Sequence, residues 1–445
     1  MKYVIIGGDA AGMSAAMEIY RHVQDADITA VERGFIYSYG QCGLPYVVDG
    51  RISSANRLIA RDVATFRDKY GIDTRVGHEV KRIDIKKQLV TGIDVVSGES
   101  FEIPYDKLLI ATGADPMMPV EKGSDLMGVH TVKTIPMLEN LLADLTPDRK
   151  NVTVIGAGYI GLEMVETLRA TGRDVRLIQR SSYLATFLDK EVAQPVYDEA
   201  ENQGIDVHFN TSVLAFEGEN RVERVVTDQG TFETDLVIVA VGIQPNTQFL
   251  KDTGITLAKN GAVIVNRYLE TSIDHIYAAG DCAMHYSIVK DCLDYMPLGT
   301  TANKQGRIAG LNMAGKSIPF KGIVGTSIMK FFDLTVASTG ITEETAKELG
   351  VEYEAYHLST RHIAGYYPGA QQMFVKIVVR KGDQQLLGAQ IVGSAGVDKR
   401  IDVFSIALYS KMKLPNLLDL DLAYAPPFNG VWDPLQQLAK KNGNV

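Results

Sequence analysis

Tyr3-Val-Ile-Ile-Gly7-Gly8-Asp9-Ala10-Ala11-Gly12 opens the chain, and the pattern returns as Asn151-Val-Thr-Val-Ile-Gly156-Ala157-Gly158-Tyr159-Ile160-Gly161. Each stretch is a short β-branched run, then glycines, then a helical pattern. A second β-rich run follows each, Asp27-Ile-Thr-Ala-Val-Glu32 and Asp174-Val-Arg-Leu-Ile-Gln179. Strand, glycine turn, helix and strand, met twice, predict parallel sheets with right-handed crossovers. A helix N-terminus offers free N–H groups and a partial positive charge, and glycine lets backbone approach phosphate closely. Two such turns predict two dinucleotide sites.

The first turn departs from the G-x-G-x-x-G pattern, because Asp9 stands where the second glycine is expected. A carboxylate sits badly beside a pyrophosphate, so its side chain is expected to turn away or to hydrogen-bond backbone. Glu32 ends the next strand and is placed to hold ribose hydroxyls; Arg33 and Val80 are counted with the same site. The second turn is complete, but its strand ends in Gln179-Arg180. No carboxylate stands there to grip a ribose diol or repel a 2′-phosphate, so NADPH is expected to be accepted as well as NADH.

Two further strand-like runs end in turns, Leu108-Leu-Ile-Ala111-Thr112-Gly113 and Thr271-Ser-Ile-Asp-His-Ile-Tyr-Ala-Ala-Gly280-Asp281. The Asp281 carboxylate suits a ribityl hydroxyl. Gly299-Thr300-Thr301-Ala302 begins a helical pattern running through Gly310, whose N-terminus would favour negative charge on a reduced flavin ring. After Gly325 come strand-like runs at Thr335, Met373 and Leu386, with no phosphate loop, which predict an α+β module without a cofactor of its own.

The chain has 445 residues, room for about three domains at roughly 150 residues each. Lys plus Arg is 45 and Asp plus Glu is 54, a net charge of −9, which argues against nucleic acid as a partner. Three cysteines, Cys42, Cys282 and Cys292, make no disulfide framework and no C-x-x-C, and no metal site is expected. Met1-Lys2-Tyr3 runs straight into the first strand and no apolar run reaches about 18 residues, so a cytoplasmic protein outside the membrane is expected.

The ordered set resembles the pyridine nucleotide-disulfide oxidoreductases over essentially the whole chain. It comprises the Gly7–Gly12 turn, Ala111-Thr112-Gly113, the Gly156–Gly161 turn with Glu163, Val241-Gly242, Gly280-Asp281 and a C-terminal domain. The resemblance implies an α/β fold with two Rossmann-like domains and an α+β dimerisation domain. The FAD domain would be split, over 1–120 and 246–325, around an NAD(P) domain at 121–245, with dimerisation by 326–445. It implies FAD, NADH or NADPH, and a homodimer. Ser38-Tyr39-Gly40-Gln41-Cys42-Gly43-Leu44-Pro45-Tyr46 holds one cysteine where disulfide-carrying members have two. That is similar to the single-cysteine branch, which contains coenzyme A-disulfide reductases, NADH oxidases, NADH peroxidases and persulfide reductases. Ala10 stands where the oxidase and peroxidase type has a histidine. The chain reaches Val445 without a rhodanese-type extension, and Cys-Gly-Leu-Pro-Tyr is most similar to the coenzyme A-disulfide reductases.

Cys42 lies between Gly40 and Gly43 in a polar stretch, which suits a nucleophile better than a packed hydrophobe. Packing is expected for Cys282 and Cys292. A lone thiol oxidises to a sulfenic acid or a mixed disulfide, and coenzyme A disulfide makes the second natural, through a Cys42–S–S–CoA adduct. The resemblance implies two proton-donating tyrosines from the partner subunit; Tyr366 and Tyr424 fit, with Tyr367 a rival to Tyr366. No His–Glu pair is visible near the C-terminus, the last histidine being His362. Tyr159 would cover the flavin until nicotinamide arrives. Ser14 and Arg21, on one face of the first helix, and Ser38 and Gln41 are the candidates for coenzyme A, with Arg61 and Lys69 behind them. The rival activities are an NADH oxidase and a CoA persulfide or polysulfide reductase. A different class is an NAD(P)H-responsive flavoprotein redox sensor, which would leave Cys42 without a task.

Overall fold

The computed structural model describes residues 1–443; the last two residues of the predicted 326–445 unit lie outside the described residues. The opening run forms β1 (Lys2–Ile6), buried beyond its first residue, and passes through the glycine turn into α1 (Ala10–His22). β2 (Asp27–Val31) lies parallel to β1 with Tyr3 opposite Ile28, and β3 (Asp73–Arg75) adds outside it. Between them, α2 (Pro45–Val48) follows a single 3₁₀ turn at Gln41–Gly43. β4 (Lys107–Ile110) pairs parallel on the other side of β1. These runs are β-branched and apolar at successive positions because both faces of the sheet are covered.

The second sheet repeats the plan. β5 (Val129–Thr131), α3 (Ile135–Asp144), β6 (Asn151–Ile155), α4 (Tyr159–Ala170), β7 (Asp174–Ile178), α5 (Lys190–Asn202), β8 (Asp206–His208) and β9 (Leu236–Val239) follow in order. The sheet runs β8-β7-β6-β9-β5, all parallel. β10 (Ile276–Ala278) then returns to the first sheet beside β4, giving β10-β4-β1-β2-β3. The chain passes between the two sheets through an antiparallel ribbon, Ala114–Pro116 with Ile243–Pro245. The strand read from Thr271 onward shrinks to β10, because Asp274 leads into His275 at φ 65°, a left-handed turn that no strand accommodates.

α6 (Gly299–Met313) starts where the helical pattern starts and runs three residues past Gly310. The C-terminal sheet consists of β11 (Ser327–Phe331), β12 (Leu334–Gly340), β13 (Tyr353–Arg361), β14 (Gln372–Arg380) and β15 (Leu386–Gly393), with α7 (Glu343–Glu348) between β12 and β13. Its order is β11-β12-β15-β14-β13, antiparallel throughout, and α8 (Val397–Tyr409) packs on it through Val397, Ile401 and Phe404. β11 and β13 carry mixed polar and apolar residues and escape the sequence reading. So do two three-stranded antiparallel sheets, 78–104 and 213–233, whose strands are mostly partly buried or exposed with only a few buried positions. No helix among the described residues is long and apolar enough to cross a membrane.

Small residues let α1 and α6 touch through their backbones. A Cβ on Gly306 would lie 2.1 Å from the Ala11 carbonyl oxygen, and one on Gly310 would lie 2.5 Å from that of Ala15. This contact holds the N-terminal ends of both helices toward one cleft. Gly306→Ala is expected to force the helices apart and destabilise the protein by roughly 1–3 kcal/mol. The expected readout is a lower thermal midpoint accompanied by earlier release of flavin fluorescence.

Candidate functional site

A cleft of about 1980 Å³ runs from the first glycine turn to the second and on to the N-terminus of α6. At the second turn Gly156 has φ 98°, and a Cβ on Gly161 would lie 1.9 Å from the Gly156 carbonyl oxygen. At the first turn Gly7 has φ 118°, and a Cβ on Gly12 would lie 1.9 Å from the Gly7 carbonyl oxygen. In both, the third glycine lets the helix sit on the turn and aim its N-terminus outward. Nothing lies within 4 Å of where a Gly158 Cβ would be, so that space is open to a phosphate group. Asp9 keeps the corresponding space clear by folding back: it does not cap α1, and its carboxylate accepts from the Tyr39 N–H at 3.1 Å and from Gln41 Nε2 at 2.6 Å. Both turns therefore fit a bound pyrophosphate.

Ala10, Ala11, Ala111, Gly113, Ala157, Ile160, Arg180, Val241, Gly242, Asp281, Gly299, Thr300 and Ala302 line this cleft with Asp9, Gln41 and Cys42. Gly8 and Thr112 stand behind it. The Gly8 N–H donates to Glu32 Oε2 at 2.9 Å, Gly34 donates to Oε1 at 2.8 Å, and Thr112 Oγ1 donates to the Asn246 carbonyl at 2.7 Å. Glu32 thus ties the turn to its own strand end while each oxygen keeps a second lone pair. Arg33 pairs with Asp115. Val80 is buried, at 9% exposure, in the hydrophobic core of the first unit. Gln179 and Arg180 both line the cleft, and Gln179 also accepts from the Ala157 N–H at 3.2 Å.

Cys42 sits on the 3₁₀ turn at the cleft wall with its residue exposed. Gly43 beside it is required by packing, since a Cβ there would lie 2.3 Å from the Leu58 side chain. Burial of the thiol raises its pKa, the Glu163 carboxylate and Asp281 add to the rise, and Lys133 opposes it. Lys133 Nζ stands 3.0 Å from Asp281 Oδ2. Glu163 accepts from the Tyr46 hydroxyl at 2.9 Å, and burial pushes its pKa up to about 7. Tyr159 stacks on Phe187 with ring centroids 3.9 Å apart and shares a hydrogen bond with Ser327. Lys133, Tyr39 and Tyr46 escape the sequence reading. Lys133 stands alone before a helix cap, whereas Tyr46 belongs to the same Cys-Gly-Leu-Pro-Tyr run as the nucleophile candidate.

The remaining candidates lie outside the cleft. Ser14 Oγ donates to Asn303 Oδ1 at 2.8 Å, which carries it to the rim, while Arg21 is held by Glu18 at 2.8 Å on the outer part of α1. Ser38 adopts φ 47° and its N–H donates to the Gly8 carbonyl. Tyr366 and Tyr424 lie on irregular backbone of the C-terminal unit, 77% and 48% exposed, and the nearness of Tyr424 raises the pKa of Tyr366. Cys282 is buried, with Sγ 3.4 Å from the carbonyls of Ile110 and Ala279. The expectation of packing for Cys292 is corrected: it lies exposed on a short hairpin opposite Ser287, where no second layer covers it.

Residues 1–306 match the family described as pyridine nucleotide-disulphide oxidoreductase, and residues 326–435 match its dimerisation domain. An NAD(P)H sulfur oxidoreductase (CoA-dependent) of Pyrococcus abyssi is 38% identical over 98% of this chain and 97% of its own. A coenzyme A disulfide reductase of Staphylococcus haemolyticus is 32% identical over 99% of both. Among solved structures, an NAD-dependent persulfide reductase from A. fulgidus superposes with a TM-score of 0.96 at 37% identity, over 100% of this chain and 83% of its own. The Pyrococcus abyssi sulfur oxidoreductase and the Staphylococcus haemolyticus disulfide reductase both match over nearly their full lengths, so length does not separate the two types.

Asp9 supplies a pH test. Burial, the largest cause, raises its pKa from 3.8 to about 6; the Gln41 and Tyr39 hydrogen bonds and Lys133 oppose the rise, and Glu32 adds to it. An acid raised by folding stabilises the fold below its unfolded pKa, and that contribution is lost as pH climbs through the folded value. Asp9→Asn carries no such titration. The thermal midpoint of the variant relative to the natural protein, at one fixed FAD concentration, is expected to rise between about pH 4 and pH 6 and to level off above.

Proposed function

Since the chain belongs to the pyridine nucleotide-disulphide oxidoreductase family, we propose that this FAD-dependent NAD(P)H oxidoreductase reduces coenzyme A disulfide through a mixed disulfide on Cys42. We assign 1–120 and 246–325 to FAD, 121–245 to NAD(P)H and 326–445 to dimerisation. The first turn, Glu32, Arg33, Val80, Thr112 and Asp281 would hold FAD, and the second turn, Glu163, Gln179 and Arg180 the nicotinamide nucleotide. The chemistry supplied by the bound flavin is delivery of the reducing equivalents of NAD(P)H as an electron pair.

The carrying observation is the solitary sulfur. Cys42 lines the cleft, and neither Cys282 nor Cys292 does. With no internal mate, the oxidised thiol is a sulfenic acid or is paired with a sulfur brought in from outside, and a disulfide acceptor supplies the second. The Cys42 thiolate attacks one sulfur of coenzyme A disulfide; the S–S bond breaks, Cys42–S–S–CoA forms and one CoA thiolate leaves. An electron pair then cleaves the adduct, returning the Cys42 thiolate and releasing the second CoA thiol. Each departing thiolate takes one proton, and the neighbouring Tyr366 and Tyr424 hydroxyls, presented by the other subunit of a homodimer, are our candidates to provide it. Ser14, Arg21, Ser38 and Gln41 are our candidates for holding the rest of coenzyme A. Lys133 favours the thiolate at Cys42, while burial and Glu163 oppose it.

The similarity to the CoA-dependent sulfur oxidoreductase and the persulfide reductase favours a second reading, in which the same thiolate takes a sulfane sulfur from a CoA persulfide or polysulfide. An oxidase reading has less support, since Ala10 puts a methyl group on the cleft wall where that type carries an imidazole.

NAD(P)H consumption should be compared with coenzyme A disulfide, polysulfide and oxygen as acceptors. Fastest turnover with coenzyme A disulfide is expected, and turnover with oxygen alone refutes the proposal. Cys42→Ser should lose roughly 10³-fold or more of the disulfide activity. Mass spectrometry under non-reducing conditions should find a CoA-sized increment on the peptide holding Cys42.

A further inference from the structure

The segment carrying Cys42 does not rest on the sheet it comes from. Leu44, Val47, Val48 and Ala55 are buried in one core cluster with Leu138, Leu162 and Val165 of the second unit. Two side-chain clasps fasten the same segment to α4, the helix that begins at the second glycine turn. At the outer end, Arg51 Nη1 donates to Glu166 Oε1 at 2.8 Å, and Lys330 Nζ of β11 reaches the same oxygen at 2.7 Å. At the cleft end, the Tyr46 hydroxyl donates to Glu163 Oε1 at 2.9 Å. Glu163 lies one helical turn beyond Tyr159, the first residue of α4, and shares the cleft wall with Cys42.

We propose that Tyr46 is a positioning residue that holds the Glu163 carboxylate toward Cys42, so that the helix of the nucleotide turn sets the reactivity of the thiol. This rests on Cys42 being the nucleophile. The outer clasp is a three-way ion cluster and suits anchoring. The inner clasp pairs one neutral hydroxyl with one carboxylate that titrates near neutrality, so its charge varies in the working range.

The charged groups around the thiol are few. Glu163 from α4 and Asp281 from the turn after β10 disfavour its ionisation, and Lys133 from the turn before α3 favours it. Glu163 itself is held by Tyr46, which favours its ionised form, and faces Glu166, which disfavours that form, and Arg51, which favours it. Losing the hydroxyl of Tyr46 therefore makes Glu163 easier to protonate, and a neutral Glu163 makes Cys42 easier to ionise.

Two variants separate charge from contact. Glu163→Gln removes the charge and keeps an acceptor for Tyr46; Tyr46→Phe removes the hydrogen bond and keeps the carboxyl. The measurement is the iodoacetamide alkylation rate of Cys42 in the flavin-loaded enzyme from pH 5 to 10, read on the Cys42 peptide by mass spectrometry, since exposed Cys292 also reacts. Glu163→Gln should lower the apparent pKa of alkylation and raise the rate roughly three- to tenfold at pH 8 to 9, but by no more than about twofold at pH 7, where Glu163 is already about half neutral. Tyr46→Phe should lower it by less, and the double variant should behave as Glu163→Gln alone. An unchanged profile in either single variant overturns the proposal, as does a Tyr46→Phe rate raised by one factor at every pH, the mark of a merely loosened turn. If alkylation of Cys42 leaves coenzyme A disulfide turnover intact, the nucleophile assignment fails while the alkylation profiles still judge the charge coupling.

Discussion

The contact of each helix with its own glycine turn is the constraint from which the site follows. At both turns a carbonyl oxygen occupies the place a side chain would need, 1.9 Å from the position of a Cβ on Gly12 or Gly161. Any other residue would lift the helix off the turn and swing its N-terminus away from the cleft. Because the two sheets are joined by the ribbon of Ala114–Pro116 with Ile243–Pro245, both N-termini open onto one cavity. The Gly306 and Gly310 contacts do the same for α6. Backbone proximity at a few glycines thus orients three helix N-termini, and with them three sources of positive potential.

Against that potential the protein sets an unusual number of acids. Asp9, Glu163 and Asp281 border the cleft around a single thiol, with Lys133 beside them. Burial leaves Asp9 near 6 and Glu163 near 7. Both therefore exchange protons in the range where a thiol and its leaving group must do so. The same burial that holds protons on the acids holds one on Cys42, so an electron-accepting group brought alongside would change the balance at all of them together.

The sequence made the frame legible because the frame is local. A β-branched run, a glycine turn and a helical pattern lie within a dozen residues, and both copies of that pattern form. β11 and β13 were not legible: Lys330 of β11 is polar because it reaches Glu166 of another unit, β13 has no buried position, and nothing in a single run reveals what will cover it. The site divides in the same way. Cys42 and Asp281 announce themselves through their flanking turns. Lys133 does not, because its meaning comes from Asp281, far along the chain, and Tyr46 does not, because its partner Glu163 belongs to a different sheet. Cys292 looked like packing by residue type alone, and the hairpin that exposes it is made of strands three residues long.

The position of the Cys42 segment also bears on which sulfur compounds the site can take. Thiolate attack on a disulfide and on a sulfane sulfur use the same orbital and the same leaving direction, so the nucleophile alone does not discriminate between them. Discrimination must come from what holds the rest of the acceptor. Cys42 lines the cleft, and among the first-unit polar residues near it Gln41 is bound to Asp9, Ser14 to Asn303, and the Ser38 N–H to the Gly8 carbonyl. A small polysulfide would gain nothing from them. A long, polar thiol that replaced those internal hydrogen bonds with its own would be held there, and its sulfur would be delivered to Cys42 whether it arrived as a disulfide or as a persulfide. On the proposed reading, the surface beside the thiol would select the carrier, and the thiol would accept whichever oxidised sulfur that carrier brings.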